Sequence, residues 1–370
     1  MPYLKNPFER AVMFIILSIA VMLPLWVMPV AIDAGIGREI TFSFLIVVAF
    51  VLFSLSVLTS GQIHYPSTPL LWILGGIILV FGLSALFSQN PLGSLFFNDP
   101  AAERFPAVAG GVILMLLTAC TLRSFTAITW VLHALVYSGA VAGILSIMQL
   151  LFGVSLYDFI ASPVGPGFSV AGTTYGAALL WAVLSTLSLG LVFGARHTDT
   201  GWRYYALIGS FGVFILNLFL IHFQTAWIVF LAASAFLLGF LLVANRFGRE
   251  SDESEEYGIQ KDAAGVRRGF DWRFSVIVLF MVLSIVMLRV REPLFGDLGV
   301  PAEVSPLFST TMNVTSALWE TEGGKTVILG SGPATFDYAW QKFRDSRVNT
   351  TPFWGVKFSQ GSSWIATLIP

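Results

Sequence analysis

Long apolar runs separated by short polar segments dominate the chain. A helix needs about 20 apolar residues to cross the hydrocarbon core of a membrane, and nine runs approach or exceed that length. They lie near residues 11–32, 40–58, 70–88, 107–122, 126–150, 170–194, 204–222, 226–245 and 274–290. A further apolar run begins in residues 362–370. The pattern predicts an all-α fold, a polytopic bundle of about nine complete transmembrane helices and the start of a tenth.

Composition agrees with this pattern. Of the 370 residues, 56% are hydrophobic and only 11% are charged, and the mean hydropathy is +0.81, which is typical of a membrane protein. The first run follows Lys5 and Arg10 and resembles a signal peptide, but the spans behind it favour a retained anchor. Cys120 is the only cysteine, so no disulfide forms within the chain.

The distribution of lysine and arginine predicts the orientation, because short loops rich in these residues stay in the cytoplasm. Eleven of them fall in the N-terminus and the alternate loops that share its side, whereas the opposite short loops carry only Arg38 and Arg104. We therefore predict a transmembrane domain over residues 1–290 with its N-terminus inside. Nine spans then place residues 291–361 outside as an extracytoplasmic loop.

The cytoplasmic stretch 246–273 mixes charges of both signs and shows no hydrophobic periodicity. This composition is typical of a disordered connector, and a docking role is the alternative.

No Asp, Glu, Lys or Arg lies in the middle of a predicted span, which argues against a transporter with a carboxylate proton relay. Neutral polar residues remain. His133 and Gln149 are expected to form hydrogen bonds between helices. A cluster where spans seven and eight meet predicts either an outer pocket or a tight helical hairpin with a polar turn; its members are Asn217, His222, Gln224 and Thr225.

The outer segment predicts two helices. The first is expected from Ser305, as N-cap, to about Glu322, with Pro306 at its first position and Gly323 and Gly324 after its end. Its apolar stripe is formed by Leu307, Val314, Leu318 and Trp319.

The second helix is expected after the glycine turn of "GSGPATF", residues 330–336, with Pro333 in its first turn. Free backbone amides at such a helix start attract phosphate. The cations Lys342, Arg344, Arg347 and Lys357 follow among aromatic residues. This pattern suits a pyrophosphate and sugar rings, and it equally suits an interfacial lid with no ligand.

Two short loops resemble the O-antigen ligase and polymerase superfamily. The family motif of the form apolar-Gly-x-Gly-x-x-x-Phe is represented here by Leu329, Gly330, Gly332 and Phe336. The loop "SQNPLGSLFFNDPAAERF", residues 88–105, is similar to the family's short outer loop, including its ending at Glu103 and Arg104. The family continues with more spans, so the chain is expected to continue beyond residue 370.

The resemblance implies a metal-independent, inverting glycosyltransferase at the outer face of a bacterial plasma membrane. Such an enzyme joins a glycan from an undecaprenyl-pyrophosphate carrier to the hydroxyl of a lipid or glycan acceptor. The implied partners are this carrier, the acceptor and membrane lipids, with no nucleic acid and no cofactor. No two of the four histidines have metal-ligand spacing, and we expect no metal. Substrate-binding candidates are Arg347, Lys357, Arg344, Gly330, Gly332, Phe336, Gln224 and Arg104, while catalytic residues stay unassigned.

The chain departs from the family pattern at two points. The family's Ser-Arg-Gly-Ala-Trp reads "FQTAW" here, so Gln224 occupies the basic position and is expected to be buried in protein, facing the outer cavity. No histidine follows His222, so the family's outer-loop histidine is missing. The departures leave open that catalysis has been lost, or that Arg347 and Lys357 supply the cations.

Three other functions fit the sequence as alternatives. A transporter or flippase of lipid-linked saccharides should show repeated halves, and no internal repeat is visible. A metal-dependent glycosyltransferase would use a carboxylate of the first outer loop, Asp33 or Glu39. A noncatalytic membrane protein of the same fold is the third alternative.

Overall fold

The computed structural model describes most of the chain. The described residues are 6–26, 34–62, 69–95, 104–153, 168–169, 172–194, 201–254, 272–290, 294–295, 304–350, 353–356, 358–363 and 366–367. Side chains within 34–36, 244–254 and at 70, 168, 172, 325 and 347 are outside this description.

Apolar α-helices make up most of the described structure. In chain order they are α1 (Pro7–Leu25), α2 (Ala34–Ser60), α3 (Leu70–Leu86), α5 (Phe105–Thr121), α6 (Phe125–Phe152), α7 (Thr174–Gly194), α8 (Trp202–Ile221), α9 (Gln224–Ser254) and α10 (Trp272–Arg289), with the short α4 (Pro91–Leu95) between α3 and α5. Seven of these helices are long and apolar enough to cross a membrane, while α3 and α5 are apolar but shorter. Large apolar side chains such as Trp72 and Phe236 are more than three-quarters exposed, as expected for lipid-facing surfaces. The protein is a multi-pass helical membrane protein.

The helix bounds differ from the predicted spans at several places. Helix α1 ends at Leu25, whereas the first span was predicted to reach residue 32, and α2 begins at Ala34 rather than near residue 40. The sixth span begins at Thr174 rather than near residue 170, because β1 (Phe168–Ser169) and β2 (Gly172–Thr173) form a two-residue antiparallel pair before it. Helix α9 runs to Ser254 and so includes residues 246–254 of the predicted disordered connector. Helix formers such as Arg and Glu continue the helix past its apolar part. Residues 255–271 lie outside the described residues.

The chain divides into two compact units. Unit 1 contains residues 1–19, 32–128 and 302–370, and unit 2 contains residues 20–31 and 129–301. In unit 1, α5 packs against α2 and α3. The Asn6 amide donates to the Ser56 carbonyl and hydroxyl, and Arg123 forms an ion pair with Glu9 at 3.3 Å. These contacts join the N-terminal end of α1 to the end of α2 and to the α5–α6 turn.

Unit 2 is built around α7, which packs against both α8 and α9, while α9 also packs against α10. Its core includes fully buried aromatic residues from three helices, among them Trp181, Phe214 and Trp227. Glycines of α6 permit close helix contacts: a Cβ on Gly143 would lie 2.8 Å from Val213 Cγ1. Gly139 and Gly143 form the small-xxx-small spacing typical of membrane helix contacts.

The segment of unit 1 that was predicted to lie outside folds into three short helices, α11 (Phe308–Glu322), α12 (Gly324–Leu329) and α13 (Phe336–Phe343), followed by a 3₁₀ turn at Ser346–Thr350. Val314 and Leu318 are buried as predicted, whereas Leu307 is exposed. Gly323, with φ of 77°, ends α11 as expected.

Three details of the predicted outer helices were wrong. Helix α11 begins at Phe308 with Leu307 as its N-cap residue, so Ser305 and Pro306 precede the helix. Gly324 begins α12, which was not predicted. Pro333 lies in a turn before α13, because Gly332 and Ala334 adopt φ of 114° and 57°, which a helix excludes. Of residues 362–370, Ala366 and Thr367 are helical, and most of the others lie outside the described residues.

Candidate functional site: a polar junction in unit 1

Two segments that lie far apart in the sequence meet in unit 1. One is residues 88–94, which follow α3 and include the first four residues of α4, and the other is residues 331–335, between α12 and α13. The Ser94 hydroxyl donates to the Pro333 carbonyl at 2.9 Å, although 239 positions of sequence separate the two residues. The backbone amide of Gln89 donates to the Ser331 carbonyl at 3.1 Å. Ser88 and Ser94 also share a hydrogen bond of 2.9 Å between their buried hydroxyls. We call this contact the polar junction.

Local sequence shapes the first segment of the polar junction. Asn90 caps α4, since its side-chain oxygen accepts a hydrogen bond from the Gly93 amide at 3.0 Å, and Pro91 occupies the first helical position. The Ser88 hydroxyl accepts a hydrogen bond from the Asn90 amide. These bonds orient the turn so that Ser88 and Ser94 face the second segment.

Gly332 shapes the second segment. Its φ of 114° belongs to a backbone region that side chains disfavour, and an added Cβ would lie 2.1 Å from Ser88 Cβ. The Thr335 hydroxyl donates to the Gly332 carbonyl at 2.6 Å and shares a 2.7 Å hydrogen bond with Ser331. Glycine is therefore required at position 332 by both conformation and space.

A polar cavity of about 480 Å³ opens at the polar junction. It is lined by Gln89, Asn90, Gly93, Ser94, Arg104, Ala334, Thr335, Asp337, Tyr338 and Gln341. Arg104, which directly precedes α5, is only 5% exposed, whereas Gln89 and Asn90 are exposed at the rim. Glu39 of α2 is close enough to Arg104 for electrostatic attraction. The cavity thus combines a buried cation, the acidic residue Asp337 and neutral hydrogen-bonding groups.

Helix α13 presents different faces to the core and to the cavity. Phe336, Ala339 and Trp340 are buried against Val314 and Leu318 of α11. Asp337, Tyr338 and Gln341 line the cavity. Residues 337 and 341 are one helical turn apart and therefore share a face.

The start of α13 leaves backbone amides available. Thr335, its N-cap residue, forms no side-chain cap. Among the described residues, the amides of Phe336 and Asp337 donate to no acceptor, whereas those of Tyr338 and Ala339 donate to the Thr335 carbonyl. The backbone amides that were expected to bind an anion at this helix start therefore belong to residues 336 and 337. The helix was predicted to start earlier, at Pro333.

Glu322 connects the end of α11 to the first segment of the polar junction and to α13. Its carboxylate accepts a hydrogen bond from the Gln89 side chain and forms an ion pair with Lys342 at 3.2 Å. The hydrogen bond to Glu322 is the main cause that raises the pKa of Lys342. Lys342 is therefore engaged with protein at the outer surface of α13.

A second, smaller cavity of about 220 Å³ lies between α3 and the glycine turn. Gly330, Gly332 and Phe336 line it, together with apolar residues of α3 such as Val80 and Phe81. Phe336 is 2% exposed and stacks on Trp340, so its main contacts are with the protein core.

The remaining candidates from the sequence lie apart from the polar cavity or outside the description. Arg344 donates from Nη1 to the Trp354 carbonyl at 2.8 Å and does not line the cavity. The Arg347 side chain and Lys357 lie outside the described residues. Gln224, the first residue of α9 in unit 2, is exposed, so the expectation of a buried side chain was wrong.

The predicted polar cluster around "FQTAW" is divided by the structure. Asn217 is fully buried and donates to the Gly143 and Val213 carbonyls, which is a helix contact and excludes it from a pocket. His222 ends α8 in the left-handed region, and its Nε2 lies 3.1 Å from the Val290 carbonyl. Thr225 is exposed. The hairpin interpretation describes these residues better than the pocket interpretation.

The first outer loop also differs from expectation. Glu39 lies within α2 and is partly buried, whereas Asp33 lies outside the described residues. Among the residues that the structure describes, no three His, Cys, Asp or Glu side chains form a group that could hold a metal ion.

Sequence reasoning missed most of the cavity lining. Asn90 followed by Pro91 is a helix-start signature and was a usable signal. Asp337, Tyr338 and Gln341 had no distinctive signal, because their role depends on which face of α13 is covered. Comparisons with known proteins add no further residues: no family model matches the chain, and neither a curated protein nor a solved structure matches it.

Proposed function

We propose that the chain is a glycan transferase of the O-antigen ligase type in a bacterial plasma membrane. It moves a saccharide from an undecaprenyl-pyrophosphate carrier to the hydroxyl of a lipid or glycan acceptor. The polar junction carries this proposal, because residues of the two loops that resemble the family meet and line one polar cavity with a buried arginine.

The lining of the cavity suits the two polar parts of such a substrate. A guanidinium binds phosphate oxygens through paired, charge-assisted hydrogen bonds, so Arg104 is assigned to the pyrophosphate. Amide and phenol side chains bind sugar hydroxyls and ring faces, so Asn90, Tyr338 and Gln341 are assigned to the glycan.

Contacts within unit 1 also support the membrane arrangement. Residues 94 and 333 touch, so an even number of crossings separates them. Five long candidate helices lie between them, and α5 supplies the sixth crossing. The ion pair between Glu9 and Arg123 likewise requires an even number of membrane crossings between these two residues. Helices α1, α2 and α5 supply three crossings, so α3 must supply the fourth. We infer nine crossings before the outer segment, with 17 residues in α3 and α5 at the lower limit for a span.

Cysteine labelling tests this arrangement. In a Cys120→Ser background, Ser309→Cys is expected to react with an impermeant thiol reagent in intact cells, and Ser254→Cys only after the membrane is opened. Labelling of position 254 but not of position 309 in intact cells contradicts the proposed topology.

Substrate binding tests the assignment of Arg104. Arg104→Ala in the purified protein is expected to weaken binding of an undecaprenyl-pyrophosphate oligosaccharide by at least about 10- to 150-fold, the value of one lost charge-assisted hydrogen bond. Arg123→Ala is the matched control, because its guanidinium pairs with Glu9 and does not line the cavity. Arg104→Lys separates charge from geometry, since lysine keeps the charge and loses the paired hydrogen bonds. Thermal melting verifies folding, and unchanged affinity in folded Arg104→Ala contradicts the assignment.

The Arg347→Ala, Lys357→Ala double variant tests the two cations chosen from the sequence. Weaker binding is expected if both face the pyrophosphate. If a well-folded double variant binds the donor as tightly as wild type, the segment that contains these two residues is better described as an interfacial lid.

Transfer distinguishes the enzyme from the flippase alternative. Native membrane vesicles supplied with a labelled undecaprenyl-pyrophosphate oligosaccharide are expected to release undecaprenyl pyrophosphate and a labelled acceptor. Movement of the intact donor across the bilayer without release favours the flippase.

A further inference from the structure

Asp337 is the one acidic side chain lining the polar cavity among the described residues. It lies in the first turn of α13, on the face that also carries Gln341. The opposite face is buried against α11, so the register of α13 holds Asp337 at the cavity.

No group in the described part of the chain engages the Asp337 carboxylate through a hydrogen bond or an ion pair. The residue is nonetheless partly buried. Glu322, at the end of α11, shows the contrast, because its two oxygens are engaged by Gln89 and Lys342. Asp337 therefore keeps its oxygens available to a ligand in the cavity.

No other described side chain lining the cavity is a carboxylate or an imidazole, the usual general bases. Arg104 is a guanidinium with no acceptor site, Tyr338 is a phenol, and the remaining polar groups are amides and hydroxyls. A cation and a single carboxylate thus line one open cavity of about 480 Å³.

We propose that Asp337 is the general base that accepts the proton of the acceptor hydroxyl during glycan transfer. This inference rests on the function proposed above and adds the residue that activates the nucleophile.

The step balances without a cofactor. The acceptor oxygen forms a bond to the anomeric carbon of the donor glycan as its proton passes to the Asp337 carboxylate. The bond between that carbon and the pyrophosphate oxygen breaks, and undecaprenyl pyrophosphate leaves with the electron pair. Arg104 stabilises the negative charge on the leaving group, and Asp337 then releases its proton to water. A single displacement of this kind inverts the anomeric configuration.

A structural role is the competing explanation for Asp337. An acidic residue in the first turn favours a helix by interacting with its dipole. That role predicts lower thermal stability in a neutral variant and no separate effect on turnover. The two explanations therefore differ in whether a folded neutral variant loses its transfer rate while it keeps its donor affinity.

Charged groups near Asp337 determine what a pH profile can report. Arg104, before α5, and Tyr338, on α13 itself, face the same cavity, while Glu39 of α2 is attracted to Arg104. Glu322 of α11 is paired with Lys342, and residues 91–95 of α4 contribute no titratable side chain. If substitution of residue 337 changes the fall of the transfer rate at acidic pH, that change therefore reports the Asp337 carboxylate.

The experiment compares Asp337→Asn with Glu320→Gln in full-length protein in membrane vesicles. Glu320→Gln makes the same neutralising change at an exposed position of α11. With labelled undecaprenyl-pyrophosphate oligosaccharide as donor, Asp337→Asn is expected to lower the transfer rate by about 10²- to 10⁴-fold, as for loss of a general base. Donor affinity should stay within about threefold of wild type, because the base contributes mainly after the donor is bound. Glu320→Gln should change neither quantity.

Asp337→Glu and the pH profile keep the inference testable if Asp337→Asn folds poorly. Asp337→Glu should retain partial transfer, and the wild-type rate should fall at acidic pH as a carboxylate base is protonated. Wild-type transfer with no acidic limb, or undiminished transfer in folded Asp337→Asn, overturns the role of Asp337 alone. Absence of both donor binding and transfer in wild type overturns the proposed function, and the base with it.

Discussion

The polar junction of unit 1 and the helical core of unit 2 use buried hydroxyl groups differently. In unit 2, Ser185 and Ser210 donate to carbonyls four residues earlier in their own helices. In the polar junction, Ser94 donates to the carbonyl of Pro333 in a distant segment. The Ser185 and Ser210 hydroxyls are satisfied within their own helices, while a third, Ser188 of α7, donates to the Leu207 carbonyl of α8 at 2.8 Å. The helices of unit 2 are therefore joined mainly by apolar packing. In the polar junction, hydrogen bonds themselves position two segments, which is what a cavity with directed polar groups requires.

The glycines of the two regions differ in the same way. Gly143 of α6 admits the side chains of α8 in an ordinary helical conformation. Gly332 has a left-handed backbone and lies against Ser88. Close packing alone requires the first glycine, while packing and conformation together require the second.

The largest expected effect is that of Gly332→Ala. The added Cβ would overlap Ser88 Cβ, 2.1 Å away, and the positive φ adds strain, so we expect a loss of about 2–5 kcal/mol in the local stability of the polar junction. Increased proteolysis of residues 324–343 and loss of donor binding are the measurements. Gly324→Ala is the control, because its added Cβ meets nothing within 4 Å. Equal behaviour of the two variants contradicts a tight approach at Ser88.

A smaller effect is expected for Gly143→Ala in unit 2. Its Cβ would lie 2.8 Å from Val213 Cγ1 and 3.1 Å from the Asn217 amide nitrogen, so overpacking should cost about 1–3 kcal/mol of unfolding free energy. Donor binding by unit 1 should be retained in the folded fraction. Gly209→Ala in α8 has no neighbour within 4 Å and should be neutral or slightly stabilising. Unfolding in detergent checks both variants, and destabilisation by Gly209→Ala alone contradicts the packing argument.

Ser94→Ala compares the hydroxyls directly. It leaves Ser88 and the Pro333 carbonyl without their buried partner, at a cost of about 1–2 kcal/mol. Ser185→Ala should cost less, because the carbonyl it releases also accepts a helical amide. Thermal melting and donor affinity are measured for both. If Ser185→Ala lowers donor affinity more than Ser94→Ala does, the proposed difference between the two regions is wrong.

The smallest expected effect is that of Lys342→Met at the surface of the polar junction. The hydrogen bond to Glu322 raises the pKa of Lys342, so the folded state binds this proton more tightly than the unfolded state. The stabilisation is present below the ordinary lysine pKa and is lost as pH rises through the raised value. Melting temperatures of wild type and variant should differ slightly at neutral pH, less so at high salt, and converge at strongly alkaline pH. A difference that grows with alkalinity has the wrong sign for this ion pair.

Local chemistry was enough to predict some boundaries and not others. Gly323 ends α11 as its sequence indicates, because a glycine after a helical pattern readily adopts positive φ. Pro333 was placed wrongly because proline also suits turns, and the neighbouring φ angles of Gly332 and Ala334 exclude a helix there. The α9 extension to Ser254 has no hydrophobic signal, so its charged sequence resembled a connector.

The sequence by itself determined the class of protein and the approximate place of each long helix. An apolar segment in lipid must satisfy its backbone groups internally, so hydrophobic runs of sufficient length specify helices wherever they occur. Tertiary structure decided the candidate site. The meeting of Ser94 with Pro333, the burial of Arg104 and the exposure of Asp337 to the cavity depend on how distant segments pack. Periodicity along the chain shows which face of one element is apolar, but it gives no information about contacts between residues 239 positions apart, such as Ser94 and Pro333.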